Sequence, residues 1–257
     1  MEMRRFLSLL SYQIKALVIS PSTYVAAFFF TLLMGLIYLL SLNEVSSAGG
    51  GKSPTELFLS LFWLPVLFIV PLLTMRSIAE ERRMGTLQAL MTTPVSAFEI
   101  VFSKFLASYF LYVFMWLLTL FFPLITILTI PQAAAEEGLF SAANIATGYA
   151  FIAVSGAAYI AIGLFASSLT RSTLVAGMLS FCILFIVIVG SSLVGKIVID
   201  DGSMAMFVEQ FIHYTQSFRH LEDFSNALLD TRPFFLYFSS AAVFIGATTL
   251  ITEFKAS

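Results

Sequence analysis

The residues of this chain that could do chemistry are few, and the first group resembles a nucleotide site. Residues 46–53 read Ser-Ser-Ala-Gly-Gly-Gly-Lys-Ser, and the last three letters are those that end a phosphate-binding loop. The complete pattern needs a glycine five places before Gly51, where Ser46 stands, and a buried strand ahead of it. Because the segment instead follows an apolar run, we interpret it as a flexible glycine-rich loop and predict no nucleotide site in this chain.

Thioether and imidazole groups near the C-terminus form the second group, since both are ligands for Cu(I). The residues are Met204, Met206, His213 and His220. They do not form a tight cluster along the sequence, and such residues beside a membrane usually serve in packing. We therefore interpret them as packing residues, and we predict neither a metal site nor a catalytic residue in this chain.

The composition explains why chemistry is scarce. Of the 257 residues, 59% are hydrophobic and 11% are charged, whereas a soluble domain has about 25% charged residues. Six uncharged stretches are long enough to cross about 30 Å of hydrocarbon as helices. They are residues 23–42, 57–75, 105–130, 143–166, 174–194 and 234–251. The stretches lack the period-two alternation of barrel strands, so we predict an all-α integral membrane protein with a single transmembrane domain over residues 1–257, the first stretch being a permanent span.

Charge sets the expected orientation and the source of energy. With the N-terminus inside, the inner segments hold nine of the thirteen Lys and Arg residues, and the outer segments hold ten of the fifteen acids. Basic residues favour the cytoplasmic side, so we predict that both termini are cytoplasmic. Proton- and sodium-coupled carriers commonly use charged groups inside the membrane, where each is costly. The six stretches have none, which favours a driving force supplied by another subunit.

Three local patterns refine this architecture. Apolar residues recur at helical spacing between Phe6 and Leu17, ahead of Pro21, which indicates a separate amphipathic helix in the inner interface. Small residues in the fourth span allow another helix to approach closely. They are Gly148, Ala153, Gly156, Ala157 and Ala161. Pro65 and Pro71 should bend the second span.

The segment between spans two and three combines charge with an apolar stripe. Glu80 and Arg83 are spaced to pair on one helix face. Met84, Leu87 and Met91 recur at the same spacing, and Pro94 should end the helix near Thr92. The pattern predicts a short helix over residues 80–92 that docks on a partner through its apolar stripe, the alternative being a solvated helical loop.

These residues resemble a known family. The runs Thr74 to Ser77, Glu80 to Arg83, Gly85 to Leu87 and Pro94 to Ser96 resemble the signature of type-2 ABC exporter permeases, with the gliding-motility permease branch the most similar. Ser20 to Val25 resembles the start of the family's first span. His220 to Asp230 resembles its stretch before the sixth span, although Ala227 stands where glycine is usual.

The resemblance implies a fold, partners and site residues. It implies six spans, an inner interfacial helix, a coupling helix between spans two and three, and outer re-entrant or interfacial helices before span six. It implies a cytoplasmic ABC ATPase dimer, which holds ATP and Mg, and a second permease chain, identical or related, in a bacterial inner membrane. The implied ATPase-coupling residues are Glu80, Glu81, Arg82, Arg83, Met84, Gly85, Thr86, Leu87, Leu90 and Met91. The implied outer gate residues are Phe207, Phe211, Tyr214, Phe218 and Leu221, whose spacing equally suits interfacial anchoring.

We therefore predict the permease subunit of an ATP-driven exporter, without enzymatic activity or cofactor of its own. Lipid and an outer-face accessory protein are further expected partners, and nucleic acid is not. One alternative is the membrane component of a gliding-motility or secretion machine; another is a non-transporting scaffold. A membrane-embedded enzyme would need polar groups that meet within the bilayer, which the uncharged spans disfavour. An uncharged, aromatic pathway suits lipids, glycolipids and hydrophobic drugs equally.

Overall fold

A computed structural model describes residues 2–48, 54–91, 95–129, 142–190, 220–221 and 231–256. Within these ranges the chain forms helices and turns and no strand. The helices are α1 Glu2–Ile19, α2 Pro21–Ala48, α3 Pro54–Ser60, α4 Trp63–Thr74, α5 Ala79–Met84, α6 Thr86–Met91, α7 Ala97–Leu118, α8 Phe121–Thr129, α9 Ala142–Leu169, α10 Thr173–Phe185 with its π-helical continuation Ile186–Gly190, and α11 Arg232–Ala256.

The six predicted spans are confirmed as six helical segments long and apolar enough to cross a membrane. Their bounds differ from the uncharged stretches, most of all in the third span. We expected that span to begin at residue 105, but α7 begins at Ala97 and so includes Glu99 and Lys104. The early start has a local cause. The Ser96 side chain accepts the backbone N–H of Glu99, and the Glu99 carboxylate accepts the backbone N–H of Ser96, which is a capping box.

Two of the predicted spans are interrupted by turns beside proline residues. Pro65 follows the turn Leu61–Phe62 between α3 and α4, and Pro123 follows the turn Thr119–Leu120 between α7 and α8. A proline lacks the N–H that would bond the carbonyl four residues earlier, and its ring collides with that carbonyl. In both places the freed carbonyl accepts from the residue three positions on instead. The chain turns just before Pro65, where we expected a bend, whereas α4 continues through Pro71.

Helix α9 is the centre of the bundle. In its most apolar stretch 78% of residues are buried, against at most 56% in any other span, and it contacts α4, α7, α10 and α11. Glycines allow this packing: a Cβ on Gly156 would lie 2.1 Å from the Tyr112 ring of α7, and one on Gly163 would lie 2.4 Å from the Thr74 hydroxyl of α4. The predicted close approach at span four is therefore confirmed.

Helix α1 is separate from the first span, as the sequence predicted. Its apolar stripe is half-buried while Arg4, Arg5 and Lys15 are exposed. The stripe packs on the start of the third span, where the rings of Phe6 and Phe102 stack with centroids 5.9 Å apart. The chain passes from α1 to α2 at Ser20, directly before Pro21.

The packing at Gly156 gives a testable prediction. Gly156→Ala would place a methyl group inside the buried Tyr112 ring, so we expect it to lower the stability by about 1–3 kcal/mol, as overpacking does. Thermal melting of the purified protein in detergent measures the change. Gly246→Ala is the matched control, because a Cβ there meets nothing within 4 Å. Equal melting temperatures for the two variants would contradict the packing described above.

Candidate functional site

The predicted coupling helix is two helices, which corrects the continuous helix expected over residues 80–92. Helices α5 and α6 are joined by Gly85, whose φ of 73° and ψ of 2° lie in the left-handed region. Glycine adopts this conformation without the strain that a Cβ would cause, and it commonly ends helices in this way. The two helices therefore cannot present one continuous stripe. We call residues 79–91 the coupling segment.

Ser167 of α9 fixes the start of α5. Its hydroxyl oxygen accepts the N–H groups of Ile78 at 3.2 Å and Ala79 at 3.1 Å, and its hydroxyl donates to the Met75 carbonyl at 3.2 Å. The first N–H groups of a helix have no partner within the helix, and a local side chain usually caps them. Ile78 is the N-cap residue of α5, and its apolar side chain cannot accept these hydrogen bonds. Ser167 acts instead as a cap from another helix, and its one donor and two acceptor positions are all used.

Two cationic side chains donate hydrogen bonds to the carbonyl groups at the C-terminal end of α9. The Arg82 guanidinium donates to the Ser168 carbonyl at 2.6 Å and to the Thr170 carbonyl at 3.4 Å. The Lys255 ammonium donates to the Ser168 and Leu169 carbonyls at 3.4 and 3.1 Å. These carbonyls have no partner inside the helix, and the end of a helix carries partial negative charge. Arg82 of α5 and Lys255 of α11 thus both stabilise the end of α9.

Glu81 joins the coupling segment to the third span. Its Oε1 lies 2.5 Å from the Lys104 Nζ of α7, and the two side chains are 18% and 3% exposed. A buried charge is tolerated only when it is paired, so each group requires the other. Glu81 Oε2 is buried without a hydrogen-bond partner. The carboxylate therefore holds Lys104 through one oxygen rather than two.

The side chains that the coupling segment exposes differ from those that the sequence predicted. Glu80 and Arg83 approach to 3.7 Å as predicted, but they are 31% and 59% exposed, and exposed pairs contribute at most about 1 kcal/mol. Met84 is 60% exposed, whereas Leu87 is only 3% exposed, within α6, which contacts α11. The expectation that Leu87 is available to a partner is therefore wrong: the interior of the chain already covers it. Leu90 is half-buried, and the Met91 side chain lies outside the described residues.

The other sequence candidates fall mostly outside the described residues. These are the glycine-rich loop at 49–53, the candidate ligands Met204, Met206 and His213, and the gate residues Phe207, Phe211, Tyr214 and Phe218. Two neighbours are described. Leu221 is buried, and His220 is buried with its Nδ1 3.4 Å from the Tyr237 hydroxyl. Within the described ranges no three His, Cys, Asp or Glu side chains are grouped as metal ligands.

Sequence reasoning missed Lys104, Ser167 and Lys255 as parts of this site. One signal could have placed Lys104: Ser96-Ala97-Phe98-Glu99 is a capping-box pattern, and it puts Lys104 two turns inside a helix. Ser167 and Lys255 gave no such signal. Their partners lie 86–92 residues away in the sequence, so only the tertiary structure shows these contacts.

The role of Ser167 is testable. Ser167→Ala leaves the N–H groups of Ile78 and Ala79 without an acceptor, and each unsatisfied buried group costs about 1–3 kcal/mol. We expect faster hydrogen exchange over residues 78–84, with the spans unchanged. Ser168→Ala is the matched control, because that hydroxyl donates only to the Phe165 carbonyl of its own helix. Unchanged exchange in Ser167→Ala would show that the serine does not hold the coupling segment.

The comparison with known families agrees with this architecture. The family model described as ABC-2 family transporter protein matches residues 14–252, nearly the whole chain. No curated protein matches the sequence. The gliding-motility branch predicted from the sequence stays a prediction. The match begins within α1, ends within α11 and includes the whole coupling segment. The chain therefore belongs to the ABC-2 family of transporter proteins, as a multi-pass membrane permease.

Proposed function

We propose that this chain is the permease subunit of an exporter whose energy comes from separate cytoplasmic ATPase subunits that dock on the coupling segment. The family match supports a transport role. The observation that carries the ATPase contact is the coupling segment itself, which is bonded through side chains to the third and fourth spans on one side and exposed on the other. A force that a bound ATPase exerts on such a segment would reach several helices at once.

The orientation in this proposal follows from charge. The coupling segment, the loop at Arg171 and the end of α11 lie together, as the bonds from Arg82 and Lys255 to residues 168–170 require. This end of the bundle is rich in Arg and Lys, which favours the cytoplasmic side of a bacterial inner membrane. An ATPase in the cytoplasm would meet the coupling segment there. Two permease chains, identical or related, would complete the pathway.

The surface offered to the ATPase is smaller than the sequence suggested. It comprises the exposed residues Arg83, Met84, Gly85, Thr86 and Gln88. Met84 is the large apolar side chain of this surface, and its other side chains are the charged Arg83 and the polar Thr86 and Gln88. An apolar anchor with a polar rim is the usual anatomy of a protein interface, and the anchor carries most of the binding energy. We therefore assign the anchor to Met84 in place of Leu87.

The spans also bear on what is exported. The exposed surface of α2 is aromatic and aliphatic and includes Phe28, Phe29, Leu32 and Leu36, all of which are at least 49% exposed. A pathway bordered by such side chains favours an apolar or amphipathic substrate over an ion, since an ion would lose its hydration without compensation. Lipids, glycolipids and hydrophobic drugs meet this description.

A substitution at Met84 tests the proposal. Met84→Asp removes the anchor, which is worth about 2 kcal/mol or more at an interface, so ATPase binding should weaken by roughly thirtyfold. The measurement is the amount of ATP-hydrolysing subunit that copurifies with the tagged chain from native membranes. Met84→Leu keeps an apolar side chain and should retain binding.

Leu87→Asp serves as the folding control. Because Leu87 is buried within the chain, the charge should lower the membrane yield, whereas Met84→Asp should leave the yield unchanged. If no ATP-hydrolysing protein accompanies the unmodified chain, the proposed function is wrong. If Met84→Asp binds as well as the unmodified chain, the assigned surface is wrong.

A further inference from the structure

Two adjacent residues attach α5 to two different spans. Glu81 pairs with Lys104 of α7, and Arg82 bonds the carbonyl of Ser168 at the end of α9. Helix α5 also follows α4 through the turn at residues 75–78. A force on the coupling segment therefore reaches the second span along the chain and the third and fourth spans through side chains.

The link to the third span depends on a single ion pair. Lys104 is 3% exposed and lies two turns inside α7. Among the described residues, Glu81 is the acid with which it makes an ion pair. If α5 moved without α7, it would leave a buried ammonium group without an anion, which is strongly unfavourable. The electrostatic requirement therefore ties the displacement of the two helices together.

The form of the contact allows rotation. Lys104 presents a compact ammonium group, and Glu81 holds it through Oε1 alone, since Oε2 is buried without a partner. A single-point contact fixes the distance between two helices but not the angle between them. The bidentate fork of an arginine would fix both.

We propose that Glu81 and Lys104 are a positioning pair, acting as a pivot that makes the third span follow the coupling segment when the ATPase moves it. This inference rests on the proposed function, because it assumes that an ATPase acts on that segment. The pair does not bind the ATPase or the substrate. It determines which span moves.

The test measures movement of the third span in the assembled complex. Spin labels are attached at Phe110 of α7 and Met178 of α10, which are 61% and 62% exposed. The background is Cys182→Ser, because Cys182 is a free and exposed thiol. Labelled chains are assembled with an excess of unlabelled chains and the copurified ATPase. The distance between the labels is then compared without nucleotide and with ATP and vanadate.

We expect the distance to change with nucleotide in the unmodified pair and the change to be lost in Lys104→Met, while the ATPase still copurifies. Lys104→Met also leaves the Glu81 carboxylate without its cation, which should lower the membrane yield. Glu81→Gln/Lys104→Met removes both charges, so it should recover the yield without recovering the movement. Lys104→Arg keeps the charge but replaces the single-point contact by a fork, so the third span should still follow the coupling segment, with a smaller change in distance. Glu253→Gln is the control, since it removes an exposed carboxylate of α11 that makes no ion pair in the described structure.

Three results would overturn the positioning role. They are an unchanged distance in the unmodified complex, a normal change in Lys104→Met, and recovery of the change in the double variant, which would make the pair merely structural. Each of these leaves the proposed function standing, provided that the ATPase copurifies. Failure of the unmodified chain to bind any ATPase would instead remove the proposed function itself.

Discussion

A helix that ends at the edge of a membrane must find partners for its last carbonyl groups, because lipid offers no hydrogen-bond donors. In α9 those partners are Arg82 and Lys255, which come from α5 and α11. The start of α5 has the opposite need, for acceptors, and Ser167 of α9 supplies one. The end of α9 and the start of α5 thus satisfy each other, and this exchange determines where the coupling segment lies.

The close packing of α4 on α9 brings the start of α5 within reach of Ser167. Gly163 lies one helical turn before Ser167, so both are on the same face of α9. Thr74 packs against Gly163, and the next residues of the chain reach Ser167 directly, beginning with the Met75 carbonyl. A larger side chain at position 163 would push α4 away and separate the Ser167 hydroxyl from its donors. The small residues of the fourth span therefore support the coupling segment as well as the close packing of the bundle.

The sequence predicted what depends on local pattern. Hydropathy predicted six spans, Pro21 predicted the break between α1 and α2, and the Glu80–Arg83 spacing predicted their ion pair. The sequence prediction failed where contacts between residues distant in the sequence determine burial. Leu87 reads as an exposed stripe residue, but α6 packs on α11 and Leu87 is buried. Lys104 directly precedes the uncharged stretch at 105–130, but α7 starts early and encloses it. Gly85 is a visible helix-ending signal that we read as part of a continuous helix.

The central claim is that the coupling segment meets an ATPase through its exposed side. The most direct measurement places a photo-reactive amino acid at position 84, which is 60% exposed, in cells that hold the whole complex. Illumination should attach the chain to an ATP-hydrolysing protein, and the same group at the buried position 87 should attach to none. Cross-linking from position 84 to lipid alone, or equal cross-linking to the ATPase from both positions, would contradict the claim.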